Sequence, residues 1–230
     1  MPKFNTANPT NIGGNPLEPP EDYLFRMVRE TLCQESTAGL TYALLEAKGC
    51  DRDLLASYNS IDDLIGAVID DMLERLAIIW EPVTAEAREY LDGDTSNRDW
   101  SVQKLERLIY RHTYQALHPK NRSYVLLCSQ ENLIPKEYRE KVAKALHKHF
   151  VDVLIRMILA ASEIKKQYNA ALLAGQIIGN INFYIMQPEL TKWMYRSATG
   201  LDPKYSEIED YTNNMLLRSV WHNTAINKQF

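Results

Sequence analysis

Apolar residues recur every three or four positions along most of this chain, between residues that cap or break helices. The clearest example follows Ser60 and Asp63, a pair that can cap a helix. Apolar residues at helical spacing then continue as far as Pro82: Leu64, Val68, Met72, Leu76 and Ile79. No stretch alternates apolar and polar residues with a period of two, as a half-buried strand would. The sequence therefore predicts an all-α fold.

Caps, prolines and glycines divide this pattern into predicted helices. These run over residues 21–33, 36–47, 51–58, 60–82, 84–91, 99–117, 124–129, 136–164, 168–186 and 206–222. The second would be capped by Ser36-Thr37, and Gly49 makes a tight turn before the third. Three short helices with this turn have the layout of a helix-turn-helix. Residues 1–20 carry five of the ten prolines, and we expect them to form a flexible tail.

Composition narrows the cellular setting. With 45% apolar residues among 230, the chain can bury a core. Its three cysteines, Cys33, Cys50 and Cys128, are widely spaced and odd in number, which argues against a disulfide framework or a zinc site. The first residues lack the basic and apolar regions of a secretory signal, and no apolar run approaches the roughly 18 residues of a membrane span. We expect a cytoplasmic protein.

One stretch carries a family resemblance. Residues 47–76 read AKGCDRDLLASYNSIDDLIGAVIDDMLERL and resemble the pattern around the recognition helix of TetR-family transcriptional regulators. The matching positions are Leu54, Tyr58, Ser60, Asp62 and Leu64. Further along, the family's later helices are similar to YQALHPKNRSYVLLCSQENLIPKEYRE, IIGNINFYIMQ and DYTNNMLLRSVWH. The resemblance implies a helix-turn-helix domain over 21–59 and a larger helical domain for ligand binding and dimerisation over 60–230.

The resemblance also implies a regulator that binds operator DNA as a homodimer. Its DNA-contacting positions would be Thr37, Thr41, Lys48, Arg52, Asp53 and Ser57. However, residues 18–71 contain twelve acidic and four basic residues, a formal charge of −8, whereas phosphate neutralisation supplies most non-specific DNA affinity. The alternative is therefore a TetR-like ligand-binding or protein-interaction protein whose acidic helix-turn-helix no longer binds DNA.

In TetR-like proteins the larger domain encloses a mostly apolar pocket for a small ligand. The corresponding candidates here are Trp80, Ile109, His112, Cys128, His149, Val153, Asn180 and Phe183. His112 and His149 are polar groups on apolar stripes, so they could orient a ligand. The alternative is that each is a core histidine bonded to a backbone carbonyl.

Two further features bear on partners and on chemistry. Ala171, Gly175 and Gly179 recur at i, i+4 and i+8, a spacing that allows another helix to approach closely, and the resemblance places the homodimer interface on the last two helices. We find no nucleophile elbow, zinc-binding His-Glu-x-x-His motif, phosphate-binding glycine loop or di-iron motif. We therefore predict a protein that is not an enzyme, with no catalytic residue, metal or cofactor.

Overall fold

The computed structural model describes residues 18–201 together with Glu207, Asp210, Asn213, Asn214, Leu217 and Arg218. Within these residues the chain forms helices and turns and no strand, which confirms the predicted all-α fold. Most of the predicted tail (1–20) and most of the helix predicted over 206–222 lie outside the described residues. The chain divides into two compact units, Met1–Asp70 (unit 1) and Asp71–Phe230 (unit 2), and the division falls inside a long helix.

Unit 1 contains α1 (Pro20–Gly39), α2 (Tyr42–Ala47), α3 (Arg52–Leu55) and the start of α4 (Ile61–Leu91). The buried stripe of α1 is the predicted one, with Leu24, Val28 and Leu32 enclosed. Gly49 has a φ of 88°, a left-handed conformation that favours glycine and ends α2. Asp51 then caps α3, because its carboxylate accepts from the backbone N–H of Asp53 (2.8 Å) and of Leu54 (3.0 Å).

The boundary between the first two helices differs from the prediction. Instead of capping a second helix, Ser36 and Thr37 continue α1, and Thr41 caps α2 by accepting from the backbone N–H of Leu44 at 3.2 Å. Extended backbone at Leu40 (ψ 115°) and Thr41 (ψ 154°) makes the break between the helices. Two candidate caps lie within six residues, and the local sequence does not distinguish them.

The helix α4 also differs from its prediction, because it continues through Pro82 to Leu91. Proline lacks the N–H that would bond the carbonyl of Ile78. The side chains of Ile78 and Pro82 are both exposed, so this side of the helix faces solvent and water can satisfy the carbonyl. One turn later, the hydroxyl of Thr84 donates to the carbonyl of Trp80 at 3.0 Å.

Unit 2 is built from helices that pack on one another. After the end of α4 come α5 (Arg98–Leu117), α6 (Arg122–Ser129), α7 (Lys136–Leu146), a π-helical turn (His147–Val151), α8 (Asp152–Ala161), α9 (Gln167–Met186) and α10 (Pro188–Thr199). The helix α5 packs on α8 and α9, and α9 also packs on α6 and α8. Their buried faces are rich in Leu, Ile and Val.

The helix α10 was not predicted. It begins at a proline, has Glu189 in its first turn and ends at Gly200, whose φ is 72°. Proline at the start and a left-handed glycine at the end are typical of helix boundaries. The local signal was therefore present in the sequence.

Candidate functional site

A buried histidine with no hydrogen-bond partner lies on the inner face of α5. The side chain of His112 is 5% exposed, and neither Nδ1 nor Nε2 has a partner within the described part of the chain. Burial lowers the pKa of His112 to about 3, so the imidazole is neutral at neutral pH. A neutral imidazole offers one N–H donor and one acceptor nitrogen, and both are available here.

Two aromatic side chains enclose this imidazole. The ring of Phe150 stacks on it at a centroid distance of 3.8 Å and an interplanar angle of 18°. The indole of Trp80, from α4, lies 4.9 Å from it with a tilted orientation. All three side chains are buried, so the imidazole is held between apolar faces. Aromatic stacking fixes the plane of the ring but leaves its nitrogens unbonded.

Phe150 lies in the π-helical turn between α7 and α8. The guanidinium of Arg88, near the end of α4, donates through Nη2 to the carbonyls of Lys148 (3.2 Å) and His149 (3.1 Å). A π turn departs from the regular hydrogen-bond pattern and leaves carbonyl capacity for other donors. Arg88 therefore ties this turn, and with it Phe150, to α4.

A cavity of about 70 Å³ adjoins the imidazole. Its buried lining residues are Leu76, Trp80, His112, Val125 and Phe150. Its half-buried lining residues are Cys128, Ser129, Leu146, Val151, Ile178 and Asn182. The lining is thus mostly apolar, and its side chains with hydrogen-bonding atoms are Trp80, His112, Cys128, Ser129 and Asn182. The hydroxyl of Ser129 already donates to the carbonyl of Val125 at 2.5 Å.

The structure brings together three of the eight predicted ligand residues, Trp80, His112 and Cys128. Ile109 and Val153 are buried but do not line the cavity. His149 is half-buried and is also outside the lining, although its neighbour in sequence, Phe150, belongs to it. Asn180 and Phe183 are also outside the lining, and Phe183 is 39% exposed.

The missed lining residues include Asn182 and Ile178, which are one helical turn apart on α9. The buried stripe of this helix contains Ala170, Leu173, Ala174, Ile177, Ile181 and Ile185. Positions 178 and 182 each follow a member of the stripe, so they flank it, and reading this periodicity could have found them.

The predicted DNA-contacting residues lie on α1 to α3 of unit 1. Thr41, Arg52, Asp53 and Ser57 are exposed at or beside the ends of α2 and α3. Thr37 is half-buried in the last turn of α1. The ammonium of Lys48 donates to the hydroxyl of Thr31 at 2.9 Å, and its carbonyl accepts from the phenol of Tyr23 at 2.7 Å.

The basic residues of the acidic region 18–71 are largely engaged within unit 1. Arg29 is buried, and the guanidinium of Arg26 pairs with Glu18 at 2.8 Å and with Glu30 at 3.4 Å. Arg52, by contrast, has a side chain that is 85% exposed, and its nearest carboxylate, on Glu46, is 3.7 Å away. An anionic backbone approaching this surface would therefore meet Arg52 as its main exposed cation.

Two further properties of the described residues bear on function. No three side chains of the His, Cys, Asp and Glu types come close enough in this part of the chain to hold a metal ion. None of the helices described there is both long and apolar enough to cross a membrane. Comparison of the chain with protein-family models, curated proteins and solved structures finds no match.

Proposed function

We propose that this protein is a ligand-sensing regulator of TetR-like architecture, in which the cavity beside His112 binds a small, mostly apolar molecule. The observation that carries the proposal is the imidazole of His112, which is buried between two aromatic rings with both nitrogens unbonded. A buried polar group without a partner is unfavourable. A ligand that bonds this imidazole would remove that penalty, so binding would stabilise the fold.

The cavity limits the chemistry of the ligand. Because the imidazole is neutral, it favours an uncharged hydroxyl or carbonyl group over an ion. The apolar lining favours hydrocarbon for the rest of the molecule. Its volume of about 70 Å³ is well below the ~150 Å³ of an engineered cavity that holds benzene, so only a few non-hydrogen atoms fit.

The proposal is tested by native mass spectrometry of the purified protein, followed by denaturation and analysis of the extract. We expect a small uncharged compound in stoichiometric amount, which is lost in His112→Phe and raises the melting temperature when it is added back. The control is His147→Phe, which changes an exposed histidine and should retain the compound. Equal recovery from His112→Phe, or no compound in the wild type, would contradict the proposal.

The proposed regulator is a homodimer, and the surface of α9 supports this part of the proposal. This helix, Gln167–Met186, contains no charged residue, although Leu172 and Phe183 are exposed on it. A Cβ atom at Gly175 or Gly179 would meet nothing within 4 Å among the described residues, so packing within that part of the chain does not require these glycines. An uncharged face with small residues suits close packing against a second copy of itself. The native mass spectrum measures this oligomeric state directly.

Operator DNA is a second candidate partner, through unit 1. The exposure of Thr41, Arg52 and Ser57 at the ends of α2 and α3 favours it, because side chains at such positions can reach a DNA groove. The formal charge of −8 over residues 18–71 opposes it. The alternative is that unit 1 contacts a basic protein partner. Gel-shift titration with genomic fragments over a range of salt concentrations separates the two.

If DNA binds, Arg52→Gln is expected to weaken binding about tenfold and to reduce the dependence of log K on log salt by about one unit. The ion pair of Arg52 with Glu46 is exposed, so the free energy of unfolding should change by less than about 0.5 kcal/mol. Arg122→Gln, in an exposed arginine of unit 2, is the control and should leave the affinity unchanged. Unchanged affinity in Arg52→Gln would remove Arg52 from the interface.

A further inference from the structure

A second pocket lies on α5, lined by residues other than those of the His112 cavity. It has a volume of about 330 Å³ and lies between α5 and helical positions near the C-terminus. Its lining residues are Glu106, Arg107, Tyr110, Arg111, Asn213 and Leu217. This volume falls within the range of small-molecule sites, ~300–1,000 Å³.

Positive charge is in excess beside this pocket. The carboxylate of Glu86 forms ion pairs with three cationic side chains: Lys104 at 2.5 Å, Arg107 at 2.8 Å and Arg111 at 2.9 Å. Even with Glu106 counted, these five residues carry a formal charge of +1. The side chains of Arg107 and Arg111 are 55% and 44% exposed, so both remain accessible. A guanidinium presents several N–H donors and can bond a second anion while it keeps the first.

Asn213 provides an independent sign of a missing partner. It lines the pocket and is 6% exposed, and neither Nδ2 nor Oδ1 has a hydrogen-bond partner within the described residues. A buried carboxamide without partners is unfavourable. A bound ligand with acceptor oxygens would bond its Nδ2.

An adjacent pocket of about 250 Å³ shares Tyr110 and Arg111 with the first. Its remaining lining residues are Pro82, Val83, Tyr114 and Gln115, so its character is mainly apolar and aromatic. The exposed rings of Tyr110 (51%) and Tyr114 (47%) lie one helical turn apart on α5. The two pockets thus form a groove with a cationic end and an aromatic end.

We propose that this groove binds a small aromatic carboxylate, with its anionic group at Arg107, Arg111 and Asn213 and its ring against Tyr110 and Tyr114. The carboxylate accepts from the guanidinium groups and from the carboxamide N–H of Asn213. The ring covers apolar surface that is otherwise exposed. This site is separate from the cavity of His112 and differs from it in ligand class, anionic instead of uncharged.

The test uses phenylacetate as the probe and isothermal titration calorimetry as the measurement. We compare it with 2-phenylethanol, which keeps the ring and lacks the charge, and with acetate, which keeps the charge and lacks the ring. Each comparison compound is expected to bind at least about tenfold more weakly than phenylacetate. Equal binding of phenylethanol, or no binding of phenylacetate at millimolar concentration, would overturn the proposal.

Variants locate the site. Arg111→Gln and Asn213→Leu are each expected to weaken phenylacetate binding about tenfold. Asn213→Leu should also raise the melting temperature, because it removes a buried unbonded carboxamide. Arg156→Gln, on α8, is the matched control and should bind like the wild type. The proposal fails if Arg111→Gln and Asn213→Leu both bind normally, or if Arg156→Gln is equally impaired.

Discussion

The free energy of unfolding of the ligand-free protein is expected to fall between pH 7 and pH 5, and replacing His112 with phenylalanine should make this fall smaller by about 2 kcal/mol. In the native state burial lowers the pKa of His112 to about 3, whereas an unfolded histidine titrates near pH 6.5. Below pH 6.5 the unfolded chain therefore takes up a proton that the native chain does not. Stability associated with His112 is present above that pH and is lost as the pH falls toward 3.

The measurement is urea denaturation of ligand-free protein at pH 7 and pH 5. Carboxylates also contribute to acid unfolding, so the informative quantity is the difference between wild type and His112→Phe. At pH 7 the variant should be more stable by about 1–2 kcal/mol, because an apolar ring replaces an unbonded imidazole. His147→Phe, at an exposed position, should follow the wild type at both pH values. An identical pH dependence in wild type and His112→Phe would mean that the native imidazole is not kept neutral by burial.

Much of this site could be predicted from the apolar periodicity of the sequence. Leu105, Ile109 and Ala116 define a buried stripe on α5, and His112 falls on it, so its burial follows from helical spacing alone. That neither imidazole nitrogen would find a partner does not follow from spacing. It depends on which side chains of other helices surround the ring, and the two that enclose it are aromatic.

The sequence makes Phe150 a possible wall residue of a pocket, but its stacking on His112 could not be predicted, because regular spacing leaves two candidates for the inner face. Regular α-helical spacing after Leu146 places both His149 (i+3) and Phe150 (i+4) near the inner stripe. The π turn over His147–Val151 includes an additional residue, and Phe150 is buried while His149 is only half-buried. Val153 and Met157, which follow the turn on the predicted stripe, are still buried, so the turn decides between His149 and Phe150 and leaves the later stripe in place.

In unit 1, the sequence shows which residues are charged but not which of them are exposed. Its acidic excess can be counted in the sequence, and so can its four basic residues. Which of those four are exposed depends on tertiary contacts: Arg29 is buried, and Arg26 pairs with two carboxylates. The charge that unit 1 presents at its surface therefore depends on the fold as well as on the composition.

The second large effect is expected from Arg88→Met, which keeps the apolar stem of the side chain and removes its hydrogen bonds. The carbonyls of Lys148 and His149 lose their guanidinium donor, and the π turn loses its tie to α4. Because one of these hydrogen bonds is exposed and the other is partly buried, we expect a loss of about 1–3 kcal/mol in the free energy of unfolding. Phe150 lies in this turn, so the environment of Trp80, 5.9 Å from it, should change in tryptophan fluorescence.

Two controls separate the hydrogen bonds of Arg88 from its charge. Glu81 lies 3.8 Å from the guanidinium in an exposed ion pair, so Glu81→Gln should cost less than about 1 kcal/mol. Arg156→Met removes an arginine with only exposed ion pairs, on α8, and should have a similarly small effect. Arg88→Lys should restore part of the loss, since an ammonium can donate to these carbonyls but stands on a shorter side chain than the Nη2 that bonds them. If Glu81→Gln reproduced the full loss, the ion pair rather than the π turn would account for the role of Arg88.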